Sequence, residues 1–209
     1  DLSTLNNYIH STKDENLKEF IKSNSMSKVP FTVINEFYGS AAEFENFIES
    51  NMQQALDSQC FEMVLQPKMN LQTNSVIAAE ALVRWRLEDG TYLPPSSFVD
   101  IFEKNLFCSK LDFYMLKKAI QQIRKWIDMG INPVNISVNQ SKIVFYHENY
   151  ISELKSLLEE YNVSGSYITL EVLESTVIED IDMFNSILKK VKKLGFSVSL
   201  DDFGSGYSS

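Results

Sequence analysis

Residues 167–200 read YITLEVLESTVIEDIDMFNSILKKVKKLGFSVSL, with two short apolar strands on either side of a helix. We predict the strands at residues 167–173 and 196–200, which are short and contain mostly apolar residues. Between them an apolar residue recurs every three or four positions from Met183 to Leu194, and the pattern ends at Gly195, which is typical of a helix. Because a helical crossover joins parallel strands, this stretch predicts an α/β fold.

The same alternation extends back along the chain. Strands are predicted at residues 61–66, 76–85 and 134–138, and helices at residues 98–102, 111–129 and 151–161. The first two strands flank a polar, turn-like segment at residues 70–75, which predicts a hairpin. Five strands fit either an open doubly wound sheet or a β/α barrel. A closed barrel usually needs about 250 residues, so in a barrel this chain would supply strands up to the fifth and stop before closure.

The first 40 residues have a different character. They are rich in Asn, Ser, Lys and Glu, show little periodicity and are too few for an independent core. We interpret residues 1–40 as a leader or the remnant of a preceding domain. Residues 41–57 are predicted to form an amphipathic connecting helix with Ser40 as its N-cap. Residues 58–209 then form the α/β domain.

Composition limits the function classes. The chain has 209 residues and a formal net charge of −9, which argues against non-specific binding to DNA or RNA. Two cysteines, Cys60 and Cys108, are too few for a disulfide scaffold. No apolar stretch approaches the roughly 20 residues of a membrane span, so a cytoplasmic location is the simplest expectation, compatible with a membrane-anchored parent protein.

Polar side chains follow one another at the predicted strand ends. Glu80, Asn135, Glu171 and the adjacent pair Asp201 and Asp202 all belong to predicted strands or the residues that end them. In parallel α/β folds such side chains meet at one rim, where several carboxylates without a counter-charge would repel one another. Oxygen ligands without His or Cys suit Mg²⁺ or Mn²⁺, and two adjacent aspartates suit a pair of ions.

These residues form ordered motifs that resemble the EAL family, the bacterial cyclic di-GMP phosphodiesterases. The matching segments are Gln66-Pro67, Glu80-Ala81-Leu82-Val83-Arg84-Trp85, Leu111-Asp112, Val134-Asn135-Ile136-Ser137, Leu170-Glu171-Val172-Leu173-Glu174-Ser175 and Asp201-Asp202-Phe203-Gly204-Ser205-Gly206. The resemblance implies a TIM-like β/α barrel that hydrolyses cyclic di-GMP to a linear dinucleotide with two Mg²⁺ or Mn²⁺ ions.

The resemblance also implies a metal site. Glu80, Asn135, Glu171 and Asp201 correspond to ligands of the metal ions, and Asp202 corresponds to a ligand of the second ion. Glu80, Asp201 and Asp202 are thereby also candidate catalytic residues.

Further roles follow from the same resemblance. Arg84 corresponds to a phosphate contact, which suits the fork of a guanidinium group. Leu82 and Gln66 are expected to face the substrate. Glu174 is expected to steady the loop after Asp202 and is counted with the catalytic residues.

The chain departs from the family pattern in three places, one of which, Arg86-Leu87-Glu88-Asp89 in place of the more usual His-Pro step, is expected only to reshape a loop. The pattern continues with a Lys, a further Glu ligand and a Gln that would lie beyond Ser209, so we expect the fragment alone to be inactive. After Ser137 the chain reads Val138-Asn139-Gln140, where the family more often has a small residue followed by Arg. An alternative function is therefore a non-catalytic receptor that binds cyclic di-GMP or a protein partner. A homodimer and an upstream sensory or cyclase-like domain are expected by analogy.

Overall fold

The computed structural model of the chain describes residues 40–173 and 181–201. Within these residues the chain forms five α-helices and six strands. The helices are α1 (Ala41–Asp57), α2 (Val99–Lys104), α3 (Cys108–Asp128), α4 (Tyr150–Tyr161) and α5 (Ile181–Lys193). The strands are β1 (Phe61–Asn70), β2 (Ser75–Arg86), β3 (Tyr92–Leu93), β4 (Asn135–Gln140), β5 (Ile168–Leu173) and β6 (Ser197–Asp201).

The strands form one sheet in the order β1-β2-β4-β5-β6, with the two-residue β3 beside β2. Strands β2, β4, β5 and β6 are parallel neighbours, which confirms the predicted α/β class. Their registers pair Glu80 with Ser137, Asn139 with Glu171, and Leu173 with Asp201. The carboxyl ends of four parallel strands therefore lie along the same edge of the sheet.

The predicted hairpin is present. Strands β1 and β2 are sheet neighbours joined by four residues, a connection too short for anything but an antiparallel pair. The Asn70 side chain accepts hydrogen bonds from the backbone N–H groups of Gln72 (2.9 Å) and Thr73 (3.1 Å). This arrangement stabilises the turn because the side chain replaces a backbone acceptor.

Local sequence signals set the ends of the helices. Ser40 Oγ accepts a hydrogen bond from the Glu43 N–H at 3.2 Å, as expected of an N-cap. Gly130 (φ +71°) and Gly195 (φ +94°) follow α3 and α5 in a backbone conformation that side chains disfavour. None of the helices in the described ranges has the length and hydropathy needed to cross a membrane.

Backbone contacts divide the chain into two compact units, and β1 and β2 contribute to both. Of the described residues, the first unit contains 40–62 and Arg84–Ile101. Its core is an aromatic cluster around Trp85, whose ring centroid lies 5.1 Å from that of Phe61 and 5.6 Å from that of Phe98. On its surface the Glu62 carboxylate accepts hydrogen bonds from Arg86 Nε and the Tyr92 hydroxyl, both at 2.6 Å.

Of the described residues, the second unit contains Met63–Val83, 102–173 and 181–201. Helix α3 packs on β4 and on α4, and its apolar face is buried. The fully buried side chains in this unit include Leu116, Ile120, Ile123, Ile136, Leu154, Ile168 and Leu170. Trp126, the other tryptophan of the chain, lies half-buried on α3. This core holds the parallel strands and fixes the positions of their polar ends.

Two differences from the predicted elements matter for the site. Strand β4 was predicted at residues 134–138, whereas it continues to Gln140 and so includes Asn139. Strand β1 was predicted at residues 61–66, whereas it continues to Asn70 and so includes Lys68. The predictions for residues 1–39, Glu174 and Asp202 lie outside the described residues, and the domain boundaries at residues 40 and 57 stay predictions.

Candidate functional site

Three strands of the second unit bring polar side chains together. Glu80 on β2 pairs in register with Ser137 on β4, and Glu171 on β5 pairs with Asn139 two residues further along β4. Because side chains alternate between the faces of a strand, Ser137 and Asn139 point to the same face. The structure therefore places the predicted residues Glu80 and Glu171 around the last residues of β4.

Lys68 of β1 lies at the centre of this group. Its Nζ donates hydrogen bonds to Glu171 Oε1 at 2.7 Å and to Ser137 Oγ at 3.1 Å. It also lies 3.8 Å from Glu80 Oε2. Glu171 is the more enclosed of the two carboxylates, with a side chain 9% exposed against 26% for Glu80. Lys68 was not predicted as a site residue.

Asn139 completes the group. Its Nδ2 donates a hydrogen bond to Glu80 Oε1 at 3.4 Å, and its backbone lies beside that of Glu171. The amide thus lies near the carboxyl end of β4, beside both carboxylates. Asn139 was also missed as a site residue, because the predicted strand ended one residue before it.

Asn135, the predicted amide ligand, lies at the opposite end of β4. Its Nδ2 donates to the Ser166 carbonyl at 3.1 Å, and its Oδ1 accepts from Thr169 Oγ1 at 2.8 Å. Four residues of strand separate it from Asn139, which corresponds to about 13 Å. The structure does not bring Asn135 together with Glu80 and Glu171; it ties the start of β4 to the start of β5 instead.

The sequence contains the reason for this difference. The pattern Val-Asn-x-Ser occurs twice in succession, as Val134-Asn135-Ile136-Ser137 and as Val138-Asn139-Gln140-Ser141. The motif was assigned to the first copy, and the second copy then looked like a departure from the family pattern. Asn139 in the second copy lies beside the carboxylates, whereas Asn135 in the first copy binds Ser166 and Thr169.

Asp112 fixes the end of β4 from the side of α3. Its Oδ2 accepts hydrogen bonds from Ser141 N at 2.9 Å and from Ser141 Oγ at 2.5 Å. Burial raises the pKa of the Asp112 carboxyl to about 7, the hydrogen bonds from Ser141 oppose the rise, and the charge of Glu103 adds to it. Nearby, Tyr150 donates a hydrogen bond to Gln140 Oε1 at 3.1 Å, and burial raises the pKa of this tyrosine.

The predicted substrate-facing residues lie on β1 and β2. Gln66 is exposed on β1, and Leu82 is half-buried on β2, both in the second unit. Arg84 lies further along β2 in the first unit, where burial lowers the pKa of its guanidinium group. Glu174 and Asp202 lie outside the described residues. Asp201 is the last residue of β6, and of this residue the structure describes only the backbone, paired with Leu173.

The donor set fits a hard divalent cation. Carboxylate, amide and hydroxyl oxygens come together, and they already enclose a positive charge, the Lys68 ammonium group. Residues 40–173 and 181–201 contain no group of three His, Cys, Asp or Glu side chains placed to hold a metal ion. In this part of the chain the site therefore consists of two carboxylates with an amide and a hydroxyl group.

Comparisons with known proteins agree with the motifs. The EAL domain family model matches residues 49–209. MucR of Pseudomonas aeruginosa, a bifunctional diguanylate cyclase/cyclic di-GMP phosphodiesterase, is 33% identical over 159 residues, which are 76% of this chain and 23% of MucR. The cyclic di-GMP phosphodiesterase PdeR of Escherichia coli K12 is 32% identical over 163 residues, covering 78% of this chain and 24% of PdeR.

The fold comparison selects between the two architectures that the sequence left open. The solved structure of the MucR phosphodiesterase in complex with c-di-GMP superposes with a TM-score of 0.72 at 32% identity, covering 78% of this chain and 66% of that chain. EAL domains are TIM-like β/α barrels, so the expected barrel fold is confirmed. The chain spans about a quarter of the length of the curated relatives described above. With a family model that covers residues 49–209, the chain belongs to the EAL domain family.

Proposed function

We propose that the protein containing this chain hydrolyses cyclic di-GMP to the linear dinucleotide, with Mg²⁺ or Mn²⁺ as cofactor. The observation that carries the proposal is the convergence of Glu80 in the middle of β2 with Asn139 and Glu171 near the carboxyl ends of β4 and β5, in a chain of the EAL family. Function in β/α barrels is concentrated at this end of the strands. The related MucR structure is a complex with c-di-GMP, which supports the same substrate here.

Glu80, Glu171 and Asn139 are the proposed metal ligands from the described residues. Asn139 replaces Asn135 in this role, because the Asn135 amide is already bound to Ser166 and Thr169. Asp201 and Asp202 are proposed to complete the two-metal site. A bound divalent cation supplies charge neutralisation at the phosphodiester and makes water a better nucleophile at neutral pH.

The remaining residues act on the substrate or on the loop. Arg84 is proposed to bind a phosphate group through its guanidinium fork. Leu82 and Gln66 are proposed to form part of the wall that faces the nucleotide, and Glu174 to steady the loop that follows Asp202. Homodimerisation and an upstream sensory or cyclase-like domain stay predictions.

Replacing a ligand tests the proposal. In the full-length protein, Glu80→Ala should reduce the metal-dependent hydrolysis of cyclic di-GMP by at least about 100-fold, since even residues that only support metal ligands contribute 10- to 100-fold. Turnover is followed by chromatography of the linear product in Mn²⁺, in Mg²⁺ and after chelation.

Glu160→Ala is the matched control, because Glu160 forms a surface ion pair with Lys117 away from the site. Unchanged turnover in Glu80→Ala would contradict the site assignment. Binding of cyclic di-GMP by the wild-type protein without any turnover would instead support the non-catalytic receptor.

A further inference from the structure

Lys68 has a position that the proposed reaction does not explain. It projects from β1, and its ammonium group contacts Ser137 on β4 and Glu171 on β5. These residues lie 69 and 103 positions further along the chain. The contact with Glu171 is a direct ion pair of 2.7 Å, and Glu80 lies at 3.8 Å on the other side. One cationic group is therefore shared by both described carboxylates of the site.

The two partners of the short ion pair differ in exposure. The Glu171 side chain is 9% exposed, whereas that of Lys68 is 40% exposed. A carboxylate this enclosed is costly without a counter-charge, because burial removes most of its hydration. Lys68 supplies that counter-charge, and its flexible four-carbon stem lets the ammonium group take more than one position.

The oxygens that surround Lys68 are also the proposed metal ligands. A divalent cation bound to Glu171 and Glu80 would lie within a few ångströms of the ammonium group, where like charges repel strongly at the edge of a protein interior. The ammonium group and the metal ion therefore compete for the same carboxylates. The exposed stem of Lys68 gives the displaced ammonium group a path into solvent.

We propose that Lys68 is a built-in counter-cation of the metal site, which stabilises the metal-free carboxylates and must be displaced when Mg²⁺ or Mn²⁺ binds. Lys68 is thus a positioning residue that sets the metal affinity. This inference rests on the proposed function, since it takes Glu80 and Glu171 as the metal ligands.

The proposal predicts opposite effects of one substitution on two measurable quantities. In Lys68→Met the Kd for Mn²⁺ should fall about tenfold, since the energy of a partly buried ion pair no longer opposes binding. The melting temperature without metal should decrease, because Glu171 loses its partner. The increase in melting temperature on adding Mn²⁺ should be larger than in the wild type, as expected from tighter binding to the folded state.

The experiment measures Mn²⁺ binding by the full-length protein, using the electron paramagnetic resonance signal of the free ion, together with thermal unfolding. Lys68→Gln, which is neutral and retains hydrogen-bond donors, should also tighten binding and serves if Lys68→Met folds only with Mn²⁺. Lys117→Met is the matched control, because Lys117 has a similar exposure of 45% and pairs with Glu160 at 3.4 Å. Its Mn²⁺ affinity should equal that of the wild type.

The outcomes separate the two proposals. Tighter Mn²⁺ binding by both neutral Lys68 variants, with the control unchanged, supports the proposal that Lys68 is a counter-cation displaced by the metal. Unchanged or weaker Mn²⁺ binding in these variants overturns it, because Lys68 would then be indifferent to the metal or would hold the ligands for it. Absence of Mn²⁺ binding in the wild type and both variants overturns the proposed metal site and the counter-cation with it.

Discussion

The two ends of β4 carry the same four-residue pattern and have different surroundings. At the start of the strand, Asn135 uses both ends of its amide to bind Ser166 and Thr169. Near the end of the strand, Asn139 lies beside Glu80 and Glu171. The serines differ in the opposite sense: Ser137 of the first copy accepts a hydrogen bond from Lys68 of the site, and Ser141 of the second copy donates two to Asp112.

This difference follows from where each residue falls along a parallel strand. At the amino end of the sheet, polar side chains connect neighbouring strands and contribute to stability. At the carboxyl end, polar side chains from several strands face a common space in which a ligand can bind. Residue type and local pattern are the same in both places, so position along the strand decides between a structural and a chemical role.

The largest expected effect separates the two asparagines. Asn139→Ala should weaken Mn²⁺ binding and reduce the hydrolysis of cyclic di-GMP by at least about 100-fold, since a ligand contributes at least as much as its supporting residues. Asn135→Ala should leave both quantities within a few-fold of the wild type and cost about 1 kcal/mol of stability through its lost hydrogen bonds. Turnover, Mn²⁺ titration and urea unfolding of both variants test the comparison. A larger loss of activity in Asn135→Ala than in Asn139→Ala would show instead that Asn135 is the metal ligand.

The next effect concerns the carboxyl end of β4 and depends on pH. The folded-state pKa of Asp112 is raised to about 7 from 3.8, so between these values the folded protein holds a proton that the unfolded chain has released. The free energy of unfolding should therefore decrease as pH rises from about 4 to 7, by roughly 4 kcal/mol if this group acts alone. Asp112→Asn should flatten that decrease, because the amide cannot ionise.

Urea unfolding of the wild type and Asp112→Asn at several pH values from 5 to 8 measures this difference. The variant should gain stability relative to the wild type as pH rises. Glu103 and Tyr150 are the ionisable groups that interact with Asp112, so Glu103→Gln serves as a control for the neighbouring charge. Parallel stability curves for the wild type and Asp112→Asn would show that burial of Asp112 does not control the pH dependence.

The smallest effect should occur near the amino end of the sheet. A Cβ atom at Gly165 would lie 2.5 Å from the Leu194 carbonyl oxygen and 3.0 Å from Phe196 N, both backbone atoms that cannot easily move. Gly165→Ala should therefore destabilise the protein by about 1–3 kcal/mol, the usual range for overpacking. Its Mn²⁺ affinity should equal that of the wild type. Gly165 lies next to Ser166, which binds Asn135 at the end of β4 that is remote from Glu80 and Glu171. A change in Mn²⁺ affinity comparable to that of Asn139→Ala would remove the distinction between the two ends.

Much of the fold could be predicted from short-range patterns. The helix that begins after Ser40 and the strands around α5 follow from capping residues and apolar periodicity, which depend on neighbours a few residues away. Glu80 and Glu171 were also predicted, because parallel strands align their carboxyl ends regardless of the details of packing.

The rest depends on information that local patterns lack. The end of β4 was placed at Val138 because Asn139 is polar and resembles the start of a loop, although its backbone continues the pairing with β5. Lys68 was missed because its contacts with Ser137 and Glu171 join residues far apart in the chain. The predicted strand also ended at Gln66, two residues before Lys68, although β1 continues to Asn70.

The aromatic cluster around Trp85 also makes the protein convenient for spectroscopy. Trp85 is 2% exposed in the first unit, and Trp126, the chain's other tryptophan, lies on α3 in the second. Each unit therefore has its own intrinsic fluorophore, and the emission of Trp85 should shift to longer wavelength when its apolar surroundings become hydrated. Single Trp→Phe variants would assign the two signals. Denaturant titrations followed by fluorescence would then report the unfolding around Trp85 and around Trp126 separately.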